Sequence, residues 1–230
     1  MVTIAQNLQA VRHRIEHAAL RAGRQPSEIT LLAVSKTFPA SYIEEAHRSA
    51  GQRAFGESYA QEAVTKITAL ERLSLEWHFI GPVQSNKTRT IAEYFGWVHA
   101  VDREKVAVRL SAARTSPLPP INVCIQVNLS GETSKSGVTP GEEHGLARAI
   151  SELPGLRLRG LMAIPEPTPD TDLQRKRYAR LRELKDALVA AGYRLDTLSM
   201  GMSDDLESAI AEGATIVRVG TAIFGARETL

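Results

Sequence analysis

The chain has 230 residues, 43% of them hydrophobic and 23% charged, with a formal net charge of +2. That composition fits a globular protein of one large domain or two small ones, and the charge is too small for a dedicated nucleic-acid binder. A single cysteine, Cys124, excludes an internal disulfide framework and every multi-cysteine metal motif.

The first stretch, roughly 3–23, has helical spacing but not the long apolar core of a leader, and no segment reaches the length of a membrane span. A soluble, reduced, cytoplasmic protein is expected. Within that helix "HRIEH", His13 to His17, fits the H-x-x-E-H pattern of inverted zinc peptidases. No third ligand accompanies it, and so short a pattern arises readily by chance, so no metal site is assigned.

Apolar, β-branched runs then alternate with stretches of helical spacing. "ITLLAVS" (29–35) reads as a first strand, followed by a helix over 39–50. "RAFG" (53–56) precedes a helix over 57–70, "WHFIG" (77–81) one over 84–95, and "WVHAV" (97–101) one over 103–115. "INVCIQVNL" (121–129) leads to a helix over 141–152 and holds Cys124, which reads as a packed thiol. "LRGLMAI" (158–164) leads to a helix over 171–191, and "DTLSM" (196–200) to one over 203–212. "TIVRVG" (215–220) ends the series, with a short helix after it. Eight strands with helical connections predict a closed (β/α)8 barrel of the TIM type, one domain over residues 1–230 with an extra N-terminal helix. An open doubly wound sheet fits less well, because it has fewer strands and often a G-x-G-x-x-G turn, which is absent here.

Barrel active sites lie at the C-terminal ends of the strands, often with phosphate held after strands seven and eight. Three features fall there. Lys36 ends strand one in "LLAVSKTFPA", and alternation puts it on one face with Leu32 and Val34. The turns at Ser199–Met200–Gly201 and Gly220–Thr221 each pair a glycine with a helix start, a plausible phosphate cup. Asp204 and Glu207 have capping-box spacing, which predicts that they close the helix at 203. Arg218 interrupts strand eight on the inward face beside Ile216, where a guanidinium needs a partner.

This pattern resembles the pyridoxal 5′-phosphate (PLP) barrel shared by alanine racemase and the PLP homeostasis proteins, the vitamin B6 carriers of that fold. The likeness to the homeostasis proteins covers nearly the whole chain, through "LLAVSKTFP", "FGESYAQEA", "EWHFIGPVQSNKTR", "QVNLSGETSKSGV", "RGLMAIP", "LSMGMSDDLESAI" and "VRVGTAIFGAR". The resemblance implies a Schiff base between Lys36 and PLP. It puts the phosphate on Ser199, Met200, Gly201, Gly220 and Thr221, and Arg218 at the pyridine nitrogen. One departure is Ser58, in "GESY" where the family usually has "GENY".

The resemblance further implies a role in intracellular PLP storage and delivery, with transient contact to PLP-dependent apo-enzymes and no robust turnover. Arginine at the ring nitrogen weakens the electron sink, and the β domain that completes a racemase does not follow the eighth strand here. Tyr59 and His78 are the acid–base candidates near the mouth. A monomer is expected. The alternatives are a minor amino-acid racemase and a Schiff-base aldolase acting on a phosphorylated sugar. Lys135, in the loop after strand five, is a candidate for passing PLP onward.

Overall fold

The computed structural model describes residues 3–130 and 136–226. Lys135 lies outside the described residues. Eight parallel strands close in sequence order, β1 to β8, into a barrel. They are β1 (Thr30–Val34), β2 (Ala54–Glu57), β3 (Glu76–Phe79), β4 (Trp97–Val101), β5 (Ile121–Gln126), β6 (Leu156–Met162), β7 (Thr197–Ser199) and β8 (Ile216–Val219). Ser199 pairs with Ile216, and Thr30 with Ile216, so the seam between the two ends of the chain is hydrogen-bonded.

The surrounding helices are α1 (Ile4–Arg21), α2 (Ala40–Ala50), α3 (Ala60–Ala69), α4 (Thr88–Tyr94), α5 (Glu104–Ala113), α6 (Glu143–Ser151), α7 (Thr171–Ala190), α8 (Leu206–Ala211) and α9 (Thr221–Phe224). The extra helix α1 begins with a capping box, Gln6 N–H on Thr3 Oγ1 at 3.2 Å and Thr3 N–H on Gln6 Oε1 at 2.9 Å. Its stripe of Ile4, Leu8, Val11, Ile15 and Ala18 is buried against α2, α8 and α9. That spacing of three and four residues is why the segment packs as a helix.

The period-two alternation of each strand divides the apolar residues between two cores. Leu32, Ala54, Trp97, Cys124, Met162 and Ile216 fill the barrel, while Phe55, Val98, Ile125, Leu161, Leu198 and Val217 face the helices. Burial pushes the Cys124 thiol up to about 12, as befits a packed, unreactive side chain.

Several element boundaries differ from the sequence reading, among them α4, which starts at Thr88 rather than 84, and β6, which spans 156–162 rather than 158–164; three of the differences have a physical reason in the structure. α3 starts at Ala60 rather than 57, because Glu57 ends β2 and is fully buried there. β5 stops at Gln126, and Val127 makes only an isolated bridge to Val138. α8 starts at Leu206, and the expected Asp204–Glu207 capping box is not made. Instead Asp205 accepts from Met202 N–H at 2.6 Å, while Glu207 pairs with Arg14 of α1 at 2.7 Å.

Gly160 of β6 is a closure point. A Cβ there would lie 1.8 Å from the Thr197 carbonyl oxygen of β7, a backbone atom that cannot step aside. Gly160→Ala is therefore expected to destabilise the barrel by ~3 kcal/mol or prevent folding, read by thermal or urea unfolding. An unchanged midpoint would contradict this closeness.

Candidate functional site

Leu32 lies inside the barrel and Ser35 points outward, so the alternation carries Lys36 inward at the C-terminal end of β1. Lys36 is half-buried, and Thr37 after it has a positive φ of 71°. That value is uncommon for a β-branched residue and marks a sharp, held turn.

The outward side of this turn is held by ions. Ser35 Oγ donates to Glu57 Oε1 at 2.7 Å, and Lys66 Nζ donates to the same oxygen at 2.8 Å. Lys66 also donates to the Ser35 carbonyl at 2.8 Å and to Glu62 Oε1 at 2.5 Å. Glu62 in turn accepts the Thr37 N–H at 2.6 Å. Lys66 is only 5% exposed, yet these three acceptors match its three protons. Burial pushes the Glu57 carboxyl up, against the pull of Lys66.

Arg218 lies in the barrel opposite Leu32 of β1, four residues below the level of Lys36, and is 4% exposed. Its Nη1 donates to the Ser199 carbonyl at 2.6 Å and to Ser199 Oγ at 2.7 Å, and its Nη2 to the Ala163 carbonyl at 2.9 Å. The network then crosses the barrel. Ser199 Oγ is 2.7 Å from His99 Nδ1, and His99 Nε2 is 2.9 Å from His78 Nδ1. His78 Nε2 faces Glu76 Oε1 at 3.4 Å without forming a hydrogen bond.

Arginine only donates, so Ser199 Oγ accepts from Arg218. The direction of the histidine contacts follows from their other end: with the His78 proton on Nε2, facing the Glu76 carboxylate, His78 Nδ1 accepts from His99 Nε2 and His99 Nδ1 accepts from Ser199 Oγ. Burial pulls both histidines down, His99 well below the ordinary 6.5, with His78 and Arg218 adding to the effect.

The β7–α8 turn is tied largely within the fold. Met200 is buried and its N–H bonds the Ile216 carbonyl at 3.1 Å, while Met202 N–H goes to Asp205. Asp205 also accepts from Tyr178 Oη at 2.6 Å, and the Gly201 N–H reaches that phenol oxygen. Gly201 has φ 91°, and a Cβ there would meet Ala209 Cβ at 2.5 Å, so packing alone requires glycine. Gly220 caps α9, whose first residue is Thr221. A cleft of ≈ 250 Å³ opens at the same end, with Ile80, Pro82, Gln126, Asn128 and Ile164 in its wall.

Among the described residues no group of three or more His, Cys, Asp or Glu side chains could hold a metal ion, and no helix is long and apolar enough to cross a membrane. The acid–base candidates separate: Tyr59, at the start of α3, is 55% exposed, whereas His78 is buried beneath the mouth. Ser58 lies against Gly81, whose added Cβ would meet the Ser58 carbonyl oxygen at 2.5 Å.

The model of the alanine racemase N-terminal domain matches residues 6–228. The pyridoxal phosphate homeostasis protein of Pseudomonas aeruginosa is 61% identical over 228 residues, covering 99% of this chain and 97% of that one. The chain belongs to the pyridoxal phosphate homeostasis protein family. The family member of Escherichia coli K12 is 56% identical, with 99% and 98% covered. PipY of Synechococcus elongatus, a solved structure with PLP bound, superposes with a TM-score of 0.83 at 36% identity, covering 97% of this chain and all of that one.

The structure puts Arg218 inside the barrel and Lys36 at the end of β1, as the sequence reading expected, whereas that reading did not single out His99, Glu76, Glu57, Glu62 or Lys66. No motif joins the residues of the two networks, because their partners lie on different strands or one helical turn apart. The position of Ser199 was legible; its use as the link between Arg218 and His99 was not.

The neutral histidines make stability depend on acid in a definite direction. Above pH 6.5 both states are neutral and the full stability is present. As pH falls below 6.5 the unfolded chain takes up protons that the folded one refuses, so stability drains toward the lower folded values. Each histidine contributes a slope of up to about 1.4 kcal/mol per pH unit in that window. His99→Gln is expected to flatten the fall of Tm between pH 6.5 and 5, and an unchanged slope would refute the assignment.

Proposed function

We propose that this barrel, as one unit over residues 1–230, binds PLP through Lys36 and acts as a cytoplasmic store and donor of it, without robust turnover. The observation that carries the reading is an inward lysine at the rim of β1 above a buried, fully oriented arginine on β8. Membership of the family supports it, as does the PLP-bound state of PipY.

The residues present fit the group. When bound, PLP supplies an aldehyde that a neutral amine captures with loss of water, and a phosphate that needs donors. Lys36 would hold the aldehyde end. Arg218 would face the ring, with three of its five N–H groups already fixed by Ser199 and Ala163. Ser199, Met200, Gly201, Gly220 and Thr221 would border the phosphate. Because the Met200, Gly201 and Met202 amides have partners in the fold, most direct contact falls to Thr221 and the start of α9, and to the half-buried Ser203.

The placement of the acid–base candidates supports a carrier rather than a racemase. Tyr59 is mostly in solvent, and His78 is locked to His99 with its lone pair in use. Arg218 cannot give up its proton to a ring nitrogen at neutral pH, so it favours the unprotonated ring. Transient contact with apo-enzymes and a monomeric state belong to the same proposal.

The test is the visible absorption spectrum of purified protein with and without added PLP, beside Lys36→Ala. A yellow band that the variant lacks is expected, and the absence of any band from the wild type with excess PLP would overturn the reading.

A further inference from the structure

A lysine that must meet an aldehyde needs its backbone fixed, and the backbone of Lys36 is fixed on both sides by one ion cluster. Before it, Ser35 is held twice, by its hydroxyl on Glu57 and its carbonyl under Lys66. After it, the Thr37 N–H is held by Glu62 while the residue adopts φ 71°. The cluster lies on the outward side of β1 and β2, against α3, and none of its members shares the inward register of Lys36.

We infer that Glu62 and Lys66, with Glu57 beneath them, are positioning residues that strap the Lys36 turn into the conformation able to capture an aldehyde. The inference rests on the PLP-binding reading above. Left to itself, a threonine with positive φ relaxes to an extended or right-handed backbone, and the lysine before it would swing away from its register. The Glu62 bond opposes this directly, since it accepts the Thr37 N–H while the Phe38 N–H closes the turn on the Ser35 carbonyl at 3.1 Å. Lys66 holds Glu62 in place, being its i+4 neighbour on α3, and at the same time anchors Ser35.

The burial of this cluster shows that it does more than tie down a surface loop. Glu57 is fully buried, with both hydrogen bonds on Oε1 and none on Oε2 among the described residues. Such a group is costly for stability alone, and well-packed apolar residues often serve a core better. What the ions supply here is a fixed direction for two backbone groups flanking one amine.

Two ligands separate positioning from general damage. PLP needs Lys36, whereas pyridoxine 5′-phosphate has the ring and phosphate but no aldehyde, so it can only dock. Glu62→Ala is expected to slow growth of the visible band with PLP by about tenfold or more, while the Kd for pyridoxine 5′-phosphate stays within about twofold of wild type. Glu62→Gln keeps an acceptor for the Thr37 N–H and is expected to recover most of the rate. Equal rates in Glu62→Ala and wild type would overturn the inference, as would a parallel loss of pyridoxine 5′-phosphate binding. Lys66→Met is expected to slow the band at least as much. Should that variant not fold, the Glu62 pair decides alone. A wild type without any band would instead refute PLP binding itself.

Discussion

A permanent positive charge sits inside this barrel, and the polar half of the interior is organised around it. A guanidinium cannot shed its proton, so its burial obliges the neighbouring strands to present acceptors. Ser199 supplies two of them and Ala163 a third, all near the C-terminal ends of β6 and β7. Ser199 Oγ, accepting from Arg218, is also in contact with His99, and His99 with His78. Apolar barrel interiors are usually filled by branched side chains in layers. Here His78 on β3, His99 on β4, Ser199 on β7 and Arg218 on β8 replace part of that filling with a directional wire. Its far end is anchored at the floor, where Trp97 stacks on His78 with ring centroids 5.3 Å apart and donates to Glu76 at 2.8 Å.

The sheet thus carries two separate polar networks on its two faces. The inner one orients Arg218, and the outer one, Glu57–Lys66–Glu62, holds the turn that bears Lys36. Neither shares a residue with the other: the outer one lies at the C-terminal rim, and the inner one runs from the C-terminal ends of β6 and β7 down to the floor. This follows from strand alternation: Ser35 faces out and Lys36 faces in, so the support of a lysine must come from the opposite side of the sheet to its target. Rigidity at Lys36 therefore leaves the inside of the mouth unobstructed by supporting side chains.

The sequence made some of this legible and concealed the rest for identifiable reasons. Eight alternations of apolar run and helical spacing are a strong signal, and the barrel with its N-terminal helix is what the chain forms. Arg218 and Lys36 stood out because charge inside or at the end of an apolar run is conspicuous. His99 did not, since one histidine in "WVHAV" is compatible with any buried strand, and its partner lies 21 residues away on the next strand. Lys66 falls in the expected helix over 57–70 with no local signal that it is buried; the approach of α3 to the end of β1 buries it. The Asp204–Glu207 spacing misled in the same way, because Arg14, 193 residues earlier in the chain, claims Glu207. Long-range electrostatic pairing overrides local capping preference, and no window along the chain contains both partners.

The two turns read as a phosphate cup differ in how much they leave for a ligand. The β7–α8 turn bonds to Ile216, Tyr178 and Asp205, so its glycine answers to packing against Ala209 before it answers to any anion. Among the described residues no such set of side-chain partners ties the β8–α9 junction, and the atoms nearest a Cβ on Gly220 are those of Val34 of β1, at 3.3–3.7 Å. A rigid turn beside a less committed one is a sensible division for a carrier. The β7–α8 turn fixes Arg218, whose N–H donates to the Gly201 carbonyl at 2.9 Å, and the α9 start offers amides without an intrahelical acceptor. On the proposed reading, an anion at the α9 start would meet groups whose loss of contact leaves the barrel intact.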